Sequence, residues 1–163
     1  YTGATKKLKI TRKRFAGSSF VDSHHILEVK LKPGWKSGPK IRNANDGDEV
    51  APGRVQDMEF VLEEKPHAQF KREGDDLVMN LKIPLVNALT GYSKKIELLD
   101  GKKILISNED GITQPGHIER IRGRGMPSQR DSSKFGDLVI KFEVEFPASL
   151  SEEAKADLKR ILQ

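Results

Sequence analysis

The sequence of 163 residues contains no cysteine. Disulfides and thiolate metal sites are therefore excluded together, and a reducing compartment is suited. No apolar run approaches the ~18 residues that a membrane-crossing helix needs. The start, Tyr1-Thr2-Gly3-Ala4, also lacks the charged-then-apolar order of a secretory signal. A soluble, intracellular chain is expected.

Signals for catalysis are equally scarce. The histidines at 24, 25, 67 and 117 are scattered, and neither a phosphate-binding glycine loop nor a Gly-x-Ser-x-Gly elbow occurs. We expect no enzyme and no cofactor. Adjacent His24 and His25 point to opposite sides of an extended chain, which favours a solvated loop pair over a metal site. Asp75-Asp76, between a glycine and a strand start, suit the satisfaction of turn backbone groups. Aromatic residues are 6% of the chain, and the single tryptophan, Trp35, sits beside Pro33-Gly34, where capping a small sheet is the simplest role.

What is present begins with charge. The formal net charge is +5, and Lys6, Lys7, Lys9, Arg12, Lys13 and Arg14 all precede the first acid, Asp22. Such a bias favours acidic partners. Nucleic acid is the alternative reading, but single strands need stacking platforms among the cations, and only Phe15 lies close to them.

The hydrophobic pattern is mostly of period two. Lys6 to Arg12 places Leu8 and Ile10 on one face with Lys7 and Lys9 on the other, and Leu27, Val29 and Leu31 alternate with Glu28, Lys30 and Lys32. Met58, Phe60 and Leu62 mark another strand. Further strands are expected at Leu77 to Ile83, through Ile96 and Leu98, at Lys103 to Ile106 after the turn signal Asp100-Gly101, and from Leu138 to Phe146. One helix is expected, at the tail: Ser151 is a suitable N-cap, Glu152 and Glu153 occupy the first turn, Lys159 and Arg160 the last, and Ala154, Leu158, Ile161 and Leu162 form a stripe.

The chain also repeats itself. Gly3-Ala4-Thr5-Lys6-Lys7-Leu8 returns as Gly91-Tyr92-Ser93-Lys94-Lys95-Ile96, and Asp57-Met58-Glu59-Phe60-Val61-Leu62 returns as Asp137-Leu138-Val139-Ile140-Lys141-Phe142. The expected fold is mainly β: two small β-sandwich-like domains in tandem, residues 1–76 and 77–147, followed by a C-terminal α-helix in 148–163. The second copy has a strand before its Gly91 that the first lacks before Gly3, so the first domain is expected to miss its opening strand.

With these elements in place, His67-x-x-Phe70-x-Arg72-x-Gly74-x-Asp76-Leu77 resembles the signature that joins the two C-terminal β-domains of DnaJ-family J-domain co-chaperones. Lys32-Pro33-Gly34-Trp35, Ala88-Leu89-x-Gly91, Leu99-Asp100-Gly101, Gly123-x-Gly125-Met126-Pro127 and Gly136-Asp137-Leu138 follow in the family's order. Without the cysteine repeats of class A, the chain resembles class B. The resemblance implies a cytoplasmic or also nuclear protein that binds unfolded clients and the acidic Glu-Glu-Val-Asp tail of the 70-kDa heat-shock chaperone, and that forms a homodimer. It places client contact at Lys6, Leu8, Ile10 and Phe60, with Lys6 and Lys7 offered to the tail's carboxylates. Leu8 is smaller than the residue common there. It implies dimerisation through Leu150, Leu158, Ile161 and Leu162 with Phe146 beside them, against the alternative that the helix docks on its own domain. The His-Pro-Asp loop of the J-domain occurs nowhere in this sequence, so stimulation of ATP hydrolysis by the chain alone is not expected.

Overall fold

A computed structural model describes residues 1–38 and 40–163. Its elements group into two units: residues 1–77 with 122–137, and residues 78–121 with 138–163. Segment 122–137, which the sequence pattern assigns to the second domain, belongs to the first unit.

The first unit is dominated by a long antiparallel ribbon, β1 (Ala4–Ala16) with β2 (Ser19–Leu31). Its two-residue turn, Gly17-Ser18, has Gly17 at φ 66°, in the left-handed region that glycine enters without a steric penalty. The register opposes Leu8 to Leu27, Ile10 to His25 and Phe15 to Phe20. His24 and His25 are thus strand residues rather than a loop pair. They do point oppositely, as neighbours on a strand must.

Two smaller sheets lie in the same unit: β3 (Lys40–Asn43) with β6 (Met58–Val61), and a short hairpin of β4 (Glu49–Ala51) and β5 (Arg54–Val55). The ribbon is held to the intervening loop by polar contacts. Arg12 Nη1 donates to Asp46 Oδ1 at 2.8 Å, Arg14 Nη1 to the Gly47 carbonyl at 2.6 Å, and the Phe15 N–H to Glu49 Oε2 at 2.5 Å.

The connector earns its motif through packing. Arg72, nearly buried, donates to the carbonyls of Gly34 at 2.8 Å, Trp35 at 2.9 Å and Gly74 at 2.8 Å. His67 Nδ1 accepts the N–H groups of Gln69 and Phe70, and its ring lies over buried Phe70. Segment 122–137 comes close enough that only glycine fits: a Cβ on Gly136 would stand 2.1 Å from the Asp75 carbonyl oxygen. Asp76 Oδ1 accepts the Asp137 N–H at 2.7 Å, so this carboxylate does satisfy backbone, though of a residue 61 positions away.

The second unit repeats the plan in a closed form. Strands β9 (Tyr92–Glu97) and β10 (Lys103–Asn108) make its hairpin. Strand β7 (Lys71–Glu73), in the first unit, leads into β8 (Asp76–Pro84), and β11 (Ile118–Ile121), β12 (Leu138–Glu145) and β8 lie in that order in the second unit's sheet. Ile83, Leu138, Ile140 and Phe142 are its fully buried side chains. A short helix, α1 (Leu85–Thr90), packs against β12.

Glycine explains why the repeats begin alike. Gly3 and Gly91 both have positive φ, and a Cβ would meet the carbonyl oxygen of Leu31 in one case and of Glu109 in the other, each at the end of the hairpin's return strand. The two aspartates correspond as well. Asp57 Oδ1 accepts the Asn45 N–H at 3.0 Å, and Asp137 Oδ1 accepts the Gly123 N–H at 3.2 Å, each pinning the loop ahead of its strand.

The chain finishes with α2 (Glu152–Leu162), where Ser151 Oγ accepts the Ala154 N–H at 3.1 Å as N-cap. Among the described residues no helix is long and apolar enough to cross a membrane.

Candidate functional site

Strand alternation puts Lys6, Leu8, Ile10 and Arg12 on one face of β1, together with Val29, Leu27, His25 and Ser23 of β2. Lys7 and Lys9 face the other way. Of the two lysines expected to meet an acidic tail, only Lys6 therefore shares the apolar face. Phe60 stands on β6 opposite Ile41, in a different sheet of the same unit. Both Phe60 and Ile41 are half-buried.

Comparison of the two repeat copies isolates what is unusual here. Leu8 corresponds to Ile96, Ile10 to Leu98 and Phe60 to Ile140. In the second unit these three are 3%, 5% and 0% exposed, whereas Leu8 is 36% exposed and Ile10 and Phe60 are only half-buried. For Phe60 and Ile140, sheet width separates the two copies. Strand β12 has β8 along its second edge and α1 against it, while β6 is paired with β3 in a two-stranded sheet. The same positions that build a core in one copy leave an accessible apolar face in the other.

The outer end of that face is polar. His25, opposite Ile10, has Nε2 3.7 Å from Asp46 Oδ1, the atom that accepts from Arg12. Leu27 and Val29, both buried, form the floor between this cluster and Lys6. Asp46 is marked by no pattern, and nothing in composition or motif ties His25, Leu27 and Val29 to this face. The signal that locates them is the two-residue turn, which fixes the register once both strands are traced through Gly17-Ser18.

Nearby carboxylates are held ionised by backbone donors. The N–H groups of Phe15 and then Gly53 keep Glu49 below the usual carboxylate range, and those of Asn45, followed by the Arg42 guanidinium, do the same for Asp57. Two of the six early cations, Arg12 and Arg14, are engaged by loop 45–49 and are unavailable to a phosphate backbone. Phe15, half-buried, packs edge-on against exposed Phe20 at 5.0 Å.

The tail carries further accessible apolar side chains. Phe146, Leu150, Ile161 and Leu162 are exposed, Leu158 and Ala154 are half-buried, and no residue of α2 is buried. Among the described residues, no group of three or more histidine or carboxylate side chains is placed to hold a metal ion.

A family model described as the DnaJ C-terminal domain matches residues 1–147. The chain is 46% identical over 95% of its length to Protein psi1 of Schizosaccharomyces pombe, and 37% identical over 95% to Protein SIS1 of Saccharomyces cerevisiae. It is 37% identical over 99% to human DnaJ homolog subfamily B member 5. It spans 41%, 43% and 47% of those proteins respectively. DnaJ C-terminal domains are the client-binding part of Hsp40 co-chaperones, which are not enzymes. By sequence along its whole length, the chain belongs to the DnaJ C-terminal domain family and resembles its class B members.

Proposed function

We propose that this chain holds unfolded client polypeptides and the acidic Glu-Glu-Val-Asp tail of the 70-kDa heat-shock chaperone on the Lys6, Leu8, Ile10 and Phe60 face of its first unit. The reading rests on the contrast between copies: Leu8, Ile10 and Phe60 are accessible where Ile96, Leu98 and Ile140 are core. An extended peptide laid along β1 would bury alternate apolar side chains there, each worth roughly 1.5–3 kcal/mol before ordering costs. Lys6 would supply a charge-assisted hydrogen bond to a carboxylate, weakened by its exposure. Affinity is therefore modest and tolerant of sequence. Lys7 serves at long range only, since it lies on the opposite face.

The test is binding of a Glu-Glu-Val-Asp-ending peptide and of a chemically unfolded client to the wild type and to Leu8→Asp. Both affinities should fall at least severalfold in the variant, and equal affinities would overturn the assigned face.

We also propose that α2 and its approach, through Phe146, Leu150, Leu158, Ile161 and Leu162, mediate homodimerisation. The exposure of four of these five favours association over docking of the stripe on the chain's own second unit. Sedimentation of a chain lacking residues 151–163 decides it, because a dimer that persists refutes the assignment. The cysteine-free composition fits work in a reducing cytoplasm or nucleus.

A further inference from the structure

Four serines are followed three residues later by an acid: Ser19 by Asp22, Ser107 by Asp110, Ser128 by Asp131 and Ser149 by Glu152. Kinases whose clefts are basic read such a charge pattern C-terminal to the acceptor. The acceptor's backbone must also be free to lie extended in the cleft, and the fold rejects three of the four on that ground. Ser19 is the first residue of β2, paired with Ala16 across the turn. Ser107 lies inside β10 opposite Ser93. Ser128 is half-buried, and its N–H donates to the Lys134 carbonyl at 2.7 Å. Ser149 alone is exposed and belongs to neither helix nor strand, and Glu153 adds a second acid at the fourth position.

We propose that Ser149 is a phosphorylation site for an acidophilic serine kinase, and that its phosphate opposes burial of the apolar surface formed by Phe146, Leu150, Ile161 and Leu162. The Ser149 hydroxyl oxygen attacks the γ-phosphorus of MgATP, the bond to the departing ADP breaks, and the hydroxyl proton passes to the kinase's base. The product carries close to two negative charges immediately before Leu150. The flanking sequence already contains Glu143, Glu145, Glu152 and Glu153. Burying Leu150 against a partner then requires desolvating a dianion, and a two-fold interface doubles the cost by bringing both copies together. Ahead of α2 the same dianion complements the helix dipole, so the helix itself is retained. The effect on association rests on the dimer reading above; the modification site does not.

The test treats the whole chain with casein kinase 2 and MgATP, maps the phosphate, and compares sedimentation and helical circular dichroism before and after. One phosphate per chain on Ser149, absent from Ser149→Ala, is expected, with dimer affinity lowered roughly tenfold or more and helicity kept. No phosphate at Ser149, or equal labelling of Ser19, Ser107 or Ser128, overturns the site. Phosphate on Ser149 with unchanged association overturns its effect. A chain that is monomeric before treatment refutes the dimer reading instead, and the mapping still decides the site.

Discussion

Removing the Arg72 guanidinium should loosen the first unit by an amount its hydrogen bonds define. Arg72 serves three carbonyls, but they are not equivalent: Gly34 is buried, Trp35 half-buried and Gly74 exposed. In Arg72→Met the Gly74 carbonyl is rehydrated at little cost, while those of Gly34 and Trp35 lose a charged donor where water enters poorly. At about 1–3 kcal/mol for each of these two unsatisfied acceptors, the loss is about 2–6 kcal/mol. Lysine should recover at most half, because a single ammonium cannot reproduce the planar fork that reaches two carbonyls at once. The assay is urea unfolding followed by the fluorescence of Trp35, the chain's only tryptophan, whose own carbonyl is one of the acceptors. A loss under ~1 kcal/mol, or an Arg72→Lys variant as stable as the wild type, would refute this account of the connector.

Three further outcomes are expected. Glu49 is depressed below its ordinary 4.5, so its contribution to stability is complete above that value and is lost as pH falls through the folded-state value; Glu49→Gln should flatten the acid limb of the unfolding profile, and identical limbs would contradict the assignment. Burial, and after it the charge and hydrogen bond of Glu119, raises Tyr92 to about 12, so stability is lost as pH rises from 10 towards 12; Glu119→Gln should lower the transition seen by ultraviolet titration, and two tyrosines both titrating near 10 would exclude the shift. Gly136→Ala forces a Cβ to within 2.1 Å of the Asp75 carbonyl and should destabilise the first unit by roughly 1–3 kcal/mol, read by the same Trp35 signal, with no change indicating that segment 122–137 packs elsewhere.

Wherever one face of a strand is apolar and buried, the chain announced its fold in advance. Leu138, Ile140 and Phe142 on β12 alternate because they form the second unit's core, and the repeat is visible because Gly3, Gly91, Asp57 and Asp137 each perform a backbone task few residues can. The outer half of the β1–β2 ribbon was silent for the opposite reason. Its inner face is filled by Arg12 and Arg14 against loop 45–49, so no period-two apolar signal marks Lys13 to Ala16 or Ser19 to His25. The β4–β5 hairpin, with strands of three and two residues, is too short to carry a period-two signal. For the candidate site, Leu8 and Ile10 are legible as an apolar strand face, but their exposure is not, because a period-two pattern reads the same whether its apolar face is covered or open.

The first unit is discontinuous along the chain, needing residues 122–137 as well as 1–77. On the ribosome, which elongates at ~5–20 residues per second, the connector, Asp75 and Asp76 emerge well before Gly125, Met126 and Gly136 are made. A nascent chain stopped after residue 77 would carry the client face without the segment whose backbone donors answer the Asp75 carbonyl and the Asp76 carboxylate. The first unit cannot be completed in order of synthesis until residue 137 is made, and a gene cut at the apparent boundary would yield a first half lacking part of its own interior.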